Sequence, residues 1–257
     1  MIKPFIQNMT RSEIHAVMVG GFATVAGGVM AAYVSFLGDI PNIASHLVIA
    51  SVMSAPAALA ISKIMYPETE ESMTAGDVKM EIDRPDANLI EAASRGATEG
   101  MTLVLNVAAM LIAFVALIAL VNFLLAYIDL SGEPLSLERI FGWIFQPIAF
   151  IMGIPWDECA TVGRLLGEKI ILTEFIAYRD LSDIMARDPA IISQRSALIA
   201  SYALCGFANF ASIGIQIGGI GGIAPERRAD LARLGMSAMI GGALAACMTG
   251  AVAGLLL

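Results

Sequence analysis

Charge is scarce in this sequence. Only 15% of its 257 residues are Asp, Glu, Lys or Arg, against about a quarter in an ordinary soluble domain. With 58% hydrophobic residues and a mean hydropathy of +0.77, that shortage excludes a water-soluble globule. Histidine is nearly missing: His15 and His46 stand alone near segment ends and read as packing or interfacial residues, not as metal ligands. Cysteine is sparse and odd in number, and Cys159, Cys205 and Cys247 sit far apart in apolar segments, which argues against a disulfide framework or a metal site. Basic residues form no stripe, so nucleic acid is not an expected partner. Glu168 and Glu174 have no His, Cys or metal-ligand cluster beside them, so an intramembrane enzyme is not expected either. The start, MIKPFIQNMTRSEIH, lacks the basic, apolar and small-residue blocks of a signal peptide.

What the chain has in abundance is long uncharged runs. Residues 14–38, 40–62, 100–128, 196–225 and 234–257 contain no Asp, Glu, Lys or Arg. Each exceeds the roughly 20 residues that cross a hydrocarbon core. The expected fold class is an all-α integral membrane protein. The formal charge of -8 comes mostly from Glu68, Glu70, Glu71, Asp77, Glu81, Asp83, Asp86, Glu91 and Glu99, which read as a solvated loop with some helix.

The sequence also repeats itself. RSEIHAVMVGGFATVAGGV at 11–29 and RSALIASYALCGFANFASIG at 195–214 both open on Arg-Ser and reach Gly-Phe-Ala followed by Thr24 or Asn209. Met53-Ser54-Ala55 and Met236-Ser237-Ala238 continue the echo. One further span, 100–128, separates the copies, so they should enter the bilayer from opposite sides as an inverted repeat. The loop GDIPNIAS carries no Lys or Arg, whereas GGIAPERRADLAR carries Arg227, Arg228 and Arg233. The positive-inside rule then places the second loop and residues 67–99 in the cytoplasm and the C-terminus outside, with Arg179, Arg187 and Arg195 against the rule. Secondary transporters built this way hold their cargo near the midplane between broken helices. The glycines of GGFATVAGG and the Asn209 and Ser212 of GFANFASIG suit such breaks, although membrane glycines also serve close helix packing.

The stretch GEKIILTEFIAY at 167–178 sets Glu168, Lys169 and Glu174 among apolar residues. Residues 155–181 hold too many charges for a simple span and read as a re-entrant hairpin whose two apolar arms flank Glu168 and Lys169. A carboxylate at membrane depth faces protein or a water-filled route and is functional by default. Glu174 is the best placed, and its two oxygens can accept hydrogen bonds from a vicinal diol such as a sugar presents. The competing reading is a structural ion pair with Lys169 or Arg164.

These residues resemble the concentrative nucleoside transporters. The family signature of Gly or Ala, any residue, Lys, three residues and Asn-Glu-Phe-Val-Ala-aromatic is similar to Gly167, Lys169, Thr173, Glu174, Phe175 and Tyr178, with Thr173 in place of Asn and Ile176 in place of Val. GFANFASIGIQIGGIGGIAPERR resembles the family's seventh membrane helix, with Ala211 where Ser is common. The resemblance implies a homotrimeric nucleoside:cation symporter of the cytoplasmic (inner) membrane, multi-pass, coupled to sodium or protons, with a nucleoside such as uridine as substrate and no other cofactor. It implies substrate contacts from Glu174, Asn209, Ser212, Phe207 and Val29, and cation contacts from Thr24, Val25 and Gly28. The family's first-hairpin motif, Gly-Gln-Thr/Ser-Glu-Ala-Pro, is absent, so Met1 is expected to be an internal start, a fragment boundary or a mis-called gene start. Two alternatives are a carrier of another small polar solute and a membrane subunit without transport of its own.

The expected organisation is a first-repeat remnant at 1–66 (broken helix 13–38, span 40–63), an acidic cytoplasmic segment at 67–99, a scaffold helix at 100–128 and an interfacial helix at 135–153. The second repeat follows at 155–257, as a hairpin at 155–181, a broken helix at 195–220 and a span at 232–257.

Overall fold

The computed structural model describes residues 3–72, 87–130, 133–187 and 191–257. Asp77, Glu81, Asp83 and Asp86 of the acidic segment lie outside them. One turn, α1 (Lys3–Ile6), precedes α2 (Arg11–Ala23). A capping box opens α2: the Thr10 hydroxyl accepts from the Glu13 amide at 3.1 Å, and the Thr10 amide donates to Glu13 Oε2 at 2.8 Å. The chain turns extended at Thr24 and Ala26 before α3 (Gly27–Phe36), and α4 (Ile43–Met65) returns beside them.

Helix α5 (Leu89–Leu125) follows, 37 residues and so roughly 55 Å long at 1.5 Å per residue. It begins inside the acidic segment expected as a solvated loop with some helix, and runs on through the expected scaffold helix. Asn88 caps it by accepting from the Glu91 amide at 2.9 Å, and its first turns are polar. Charge-free sequence marks where a helix meets lipid, not where it starts. A short ribbon pairs β1 (Asp129–Leu130) with β2 (Glu133–Pro134) and leads into α6 (Leu137–Ile151).

The second half comprises the hairpin α7 (Trp156–Ile171) and α8 (Glu174–Arg187), the broken pair α9 (Gln194–Leu204) and α10 (Phe210–Ile223), a 3-10 turn at Pro225–Arg227, and α11 (Arg228–Leu256). Three helical segments among the described residues are long and apolar enough to cross a membrane: Arg11–Phe36, Ile43–Met65 and Pro225–Leu256. The second break leaves α10 as a shorter apolar piece, Phe210–Gly222.

The repeat is inverted in space. α11 packs on α2, α4 and α9, and α4 packs on both α2 and α9. Arg11 pairs with Asp230 at the amino end of α11, 3.3 Å away. Its counterpart Arg195 donates to Gly254 O near the carboxyl end of the same helix, at 2.6 Å. The two Arg-Ser starts therefore lie at opposite ends of α11.

Helix α6 runs antiparallel along α7 with almost no side-chain layer between them. A Cβ on Gly163 would come within 2.6 Å of Gly142 O, and one on Gly167 within 2.8 Å of Glu138 O. Small residues let the two backbones touch, and this contact makes α6 and the first hairpin arm one packed unit. Trp143, Ile144, Phe150 and Ile151 face away and are exposed.

Candidate functional site

The two breaks meet. Gly206, between α9 and α10, has φ +138, and a Cβ there would lie 2.7 Å from Ala23 O and 2.9 Å from Phe22 O, the last carbonyls of α2. Only glycine combines that conformation with that approach. The crossing gathers the carboxyl ends of α2 and α9 and the amino ends of α3 and α10.

The hairpin tip sits beside this crossing, and it lies at Leu172–Thr173, not at Glu168 and Lys169 as the sequence suggests. Helix α7 runs on through both charged residues because each finds a partner that leaves the helix intact. The Lys169 ammonium, 1% exposed, donates to Ala203 O at 2.9 Å, near the carboxyl end of α9. Arg164 Nε donates to Glu168 Oε1 at 2.9 Å, one turn away on the same helix, and its Nη2 lies 3.8 Å from Asp180 on α8. The charges expected at the tip instead tie the arms to each other and to α9. Gly167 belongs to the packing against α6.

Glu174 is the first residue of α8, where a carboxylate is favoured by the helix amino end, and it is 3% exposed. Its two oxygens are held from two directions. Tyr33 Oη, on α3, donates to Oε1 at 2.8 Å, and Asn209 Nδ2, at the start of α10, donates to Oε2 at 3.2 Å. Neither Lys169 nor Arg164 forms a salt bridge with Glu174 among the described residues. Asn209 also caps α10, its Oδ1 accepting from the Ser212 amide at 2.8 Å. One amide thus ends the break and orients the carboxylate.

Tyr33 is the member of this site that sequence reasoning misses. It is fully buried and stacks on Tyr178 with ring centroids 4.2 Å apart, while the Tyr178 hydroxyl donates to Ser201 O at 2.6 Å. The available signal is a lone phenol in GGVMAAYVSF, since a buried hydroxyl needs a partner. Phe175 is exposed at 42% and meets Phe36 edge-on at 5.1 Å.

The remaining residues group around the breaks. Thr24 caps α2, and its hydroxyl donates to Gly20 O at 2.9 Å, leaving its oxygen lone pairs available. Thr24 and Val25 are half-buried, Gly28 is exposed in the first turn of α3, and Val29 is half-buried beside it. Phe207 is half-buried and Ser212 is buried at the other break. The structure thus joins Glu174, Asn209 and Tyr33 by hydrogen bonds, with Tyr178 stacked against Tyr33. Thr24, Val25, Gly28 and Val29 belong to the opposite break, and among the described residues none of them bonds to Glu174. No group of three or more His, Cys, Asp or Glu fit to hold a metal occurs among the described residues.

Residues 46–254 match the family model described as the Na+ dependent nucleoside transporter C-terminus. The chain is 43% identical to sodium/nucleoside cotransporter 1 of Mus musculus over 272 residues, covering 100% of this chain and 41% of that protein. It is 45% identical to the uncharacterized transporter YutK of Bacillus subtilis, covering 99% of this chain and 62% of that one. It therefore spans less than two thirds of either relative's length. Among solved structures, CNTnw in an inward-facing substrate-bound state is similar at 40% identity with a TM-score of 0.78, covering 99% of this chain and 59% of that one. A CNTnw variant in an intermediate 3 state is similar at 39% identity with a TM-score of 0.86, covering 100% and 61%. These relatives are transporters, not enzymes, and their likeness covers the crossed breaks and the hairpin. By its matched residues, its broken helices and its hairpin carboxylate, the chain belongs to the sodium-dependent nucleoside transporter family, within the part that forms its C-terminus.

Proposed function

We propose that the chain provides the ribose- and cation-binding half of a nucleoside:cation symporter in the cytoplasmic (inner) membrane. The observation that carries this reading is the buried Glu174 carboxylate, held at the hairpin tip by one donor from each repeat. A carboxylate offers about four lone-pair positions, and Tyr33 and Asn209 use two of them. The acceptor positions they leave suit the vicinal hydroxyls of a ribose. Asn209, Ser212 and Phe207 would complete the sugar side, and Val29 would meet the base from across the crossing.

The cation would sit at the other break, on Thr24, Val25 and the first turn of α3 at Gly28. Unwound backbone carbonyls and a hydroxyl are hard oxygen ligands of the kind that broken membrane helices offer to sodium. The family description favours sodium over a proton. Assembly is proposed as a homotrimer held by α5, whose apolar side chains, including Leu105, Ile112, Leu117, Leu120 and Leu124, are exposed. The interfacial position of α6 belongs to the same proposal, as does the cytoplasmic side for residues 67–99.

Uridine binding to the purified protein in detergent, with and without sodium, tests the reading. Sodium-dependent binding that Glu174→Gln abolishes supports it. The same measurement is repeated with a relative's N-terminal segment co-expressed. Absence of binding in both preparations, or unchanged affinity in Glu174→Gln, overturns it.

A further inference from the structure

Glu174 belongs to the second repeat, yet its shortest hydrogen bond comes from the first. Tyr33 lies 141 residues away in sequence and reaches Oε1 at 2.8 Å. Three features make this a built contact. Tyr33 is 0% exposed, so its hydroxyl has no water to fall back on and the bond to Glu174 satisfies it. Its ring is clamped face to face against Tyr178 at 4.2 Å, and Tyr178 is itself fixed through its hydroxyl to Ser201 O at 2.6 Å on α9. Phe175, next to Glu174, joins the same aromatic group, its centroid 6.4 Å from Tyr33 and 5.1 Å from Phe36. The clamp is apolar along its length and ends in the two hydroxyls.

The position of Tyr33 on α3 gives the contact its meaning. Helix α3 begins at the break that carries Thr24 and Val25, and Tyr33 lies two turns further along the same rigid segment. Asn209, the other donor, begins α10 at the opposite break. Each oxygen of the carboxylate is therefore set by a half-helix whose amino end lies at the crossing. A shift of α3 when the first break takes up a cation would move Oε1 through Tyr33 and leave Oε2 with Asn209.

We infer that Tyr33 is a positioning residue for sugar recognition, the link through which the first-repeat break sets the Glu174 carboxylate for the ribose hydroxyls. The inference rests on the proposed reading of Glu174. Tyr33 does not touch the sugar; it fixes the group that does. Tyr33 and Asn209 each donate to one oxygen of Glu174 and leave acceptor positions for the diol, so Tyr33 stays bonded when the sugar arrives.

The test compares uridine with 2'-deoxyuridine and 3'-deoxyuridine, by calorimetric binding at saturating and at low sodium, in wild type, Tyr33→Phe and Thr249→Val. Tyr33→Phe keeps the stack and removes only the donor. It is expected to weaken uridine roughly tenfold, the size of one hydrogen bond to a charged group, to shrink the penalty for a missing sugar hydroxyl, and to flatten the sodium dependence of affinity. Thr249→Val removes a buried hydroxyl on α11 that donates to Ala246 O at 2.8 Å, without touching Glu174 or the aromatic stack. It is expected to lower the melting temperature while leaving hydroxyl discrimination and sodium dependence as in wild type. Wild-type discrimination with Tyr33→Phe indistinguishable from it overturns this inference alone. So does an equal loss for all three ligands in both variants, which marks a structural role. Wild-type protein that ignores the sugar hydroxyls overturns the reading of Glu174 and this inference together.

Discussion

The Lys169 ammonium sits 2.9 Å from the Ala203 carbonyl, fully enclosed, at the place where α9 is about to end. A helix leaves its last carbonyls without intrahelical partners, and a cation there also meets the negative end of the helix dipole. Lys169 thus completes the broken helix from a neighbouring element. Lys169→Met keeps the aliphatic stem and deletes the donor, leaving Ala203 O orphaned. The expected loss is about 1 to 3 kcal/mol of stability, read as a lower melting temperature in detergent, with the largest increase in amide exchange at residues 200–206.

Gly206 should tolerate no side chain. At φ +138, with Ala23 O only 2.7 Å from where a Cβ would lie, Gly206→Ala must both strain the backbone and push the two breaks apart. The expected cost is about 2 kcal/mol or more, and unfolding by heat measures it. Gly27→Ala, where a Cβ meets nothing within 4 Å, is the paired control and should be near neutral.

Asn209 carries two separable jobs. Asn209→Asp keeps an acceptor for the Ser212 amide but places a second carboxylate against Glu174. Asn209→Ala removes both contacts and also loses the cap, worth about 0.5 to 2 kcal/mol. Both variants should lose uridine binding, and only Asn209→Ala should lose the cap energy on top of it. Equilibrium binding and thermal melting on the same samples separate the two.

Outside the membrane, Glu68 straps the segment after α4 onto the start of α2. The Thr10 hydroxyl donates to Glu68 Oε2 at 2.8 Å, and Lys63 lies 3.4 Å away. The Thr10 bond, with the Glu70 amide and Lys63 in support, holds the Glu68 carboxyl below its ordinary range. A carboxyl depressed by folding stabilises above its unfolded value, and the contribution vanishes as pH falls through the folded one. The strap should therefore loosen only below the ordinary carboxylate range near 4.5. Amide exchange at residues 67–72 as a function of pH follows it, and Thr10→Val should move the loosening to higher pH.

Cysteines introduced at Asn42 and Ala229 should label from opposite faces of a sealed vesicle. Asn42 precedes α4 and shares a surface cavity with Gln194 and Arg195 at the start of α9. Ala229 follows Arg227, which reaches Ile6, Gln7 and Met9 at the other end. Impermeant maleimide on oriented vesicles gives the result directly, and same-side labelling would contradict the inverted arrangement.

Much of this architecture is readable in the chain because membrane burial writes itself as missing charge and because duplicated segments share their punctuation. Gly-Phe-Ala-Thr and Gly-Phe-Ala-Asn mark the two breaks, and Glu174 stands out as an expensive residue at depth. Less can be seen of what satisfies each polar group. Tyr33 pairs with a residue 141 positions away, and such pairings are set by how helices cross, which no local pattern encodes. The hairpin tip is misplaced for the same reason: Lys169 and Glu168 look like turn residues until Ala203 O and Arg164 are found beside them. The start of α5 is hidden because its polar first turns obey helix rules while lacking the membrane signature.

The meeting of the two breaks has a further consequence. Each contributes one helix end of either polarity, so the partial charges at the crossing sum to nothing while remaining strong locally. Such a place acts as a solid stand-in for water. On the proposed function, a sugar and a positive ion that shed their hydration shells would find donors and acceptors already oriented there. The work of ordering that replacement solvent was done once, when the two halves folded against each other.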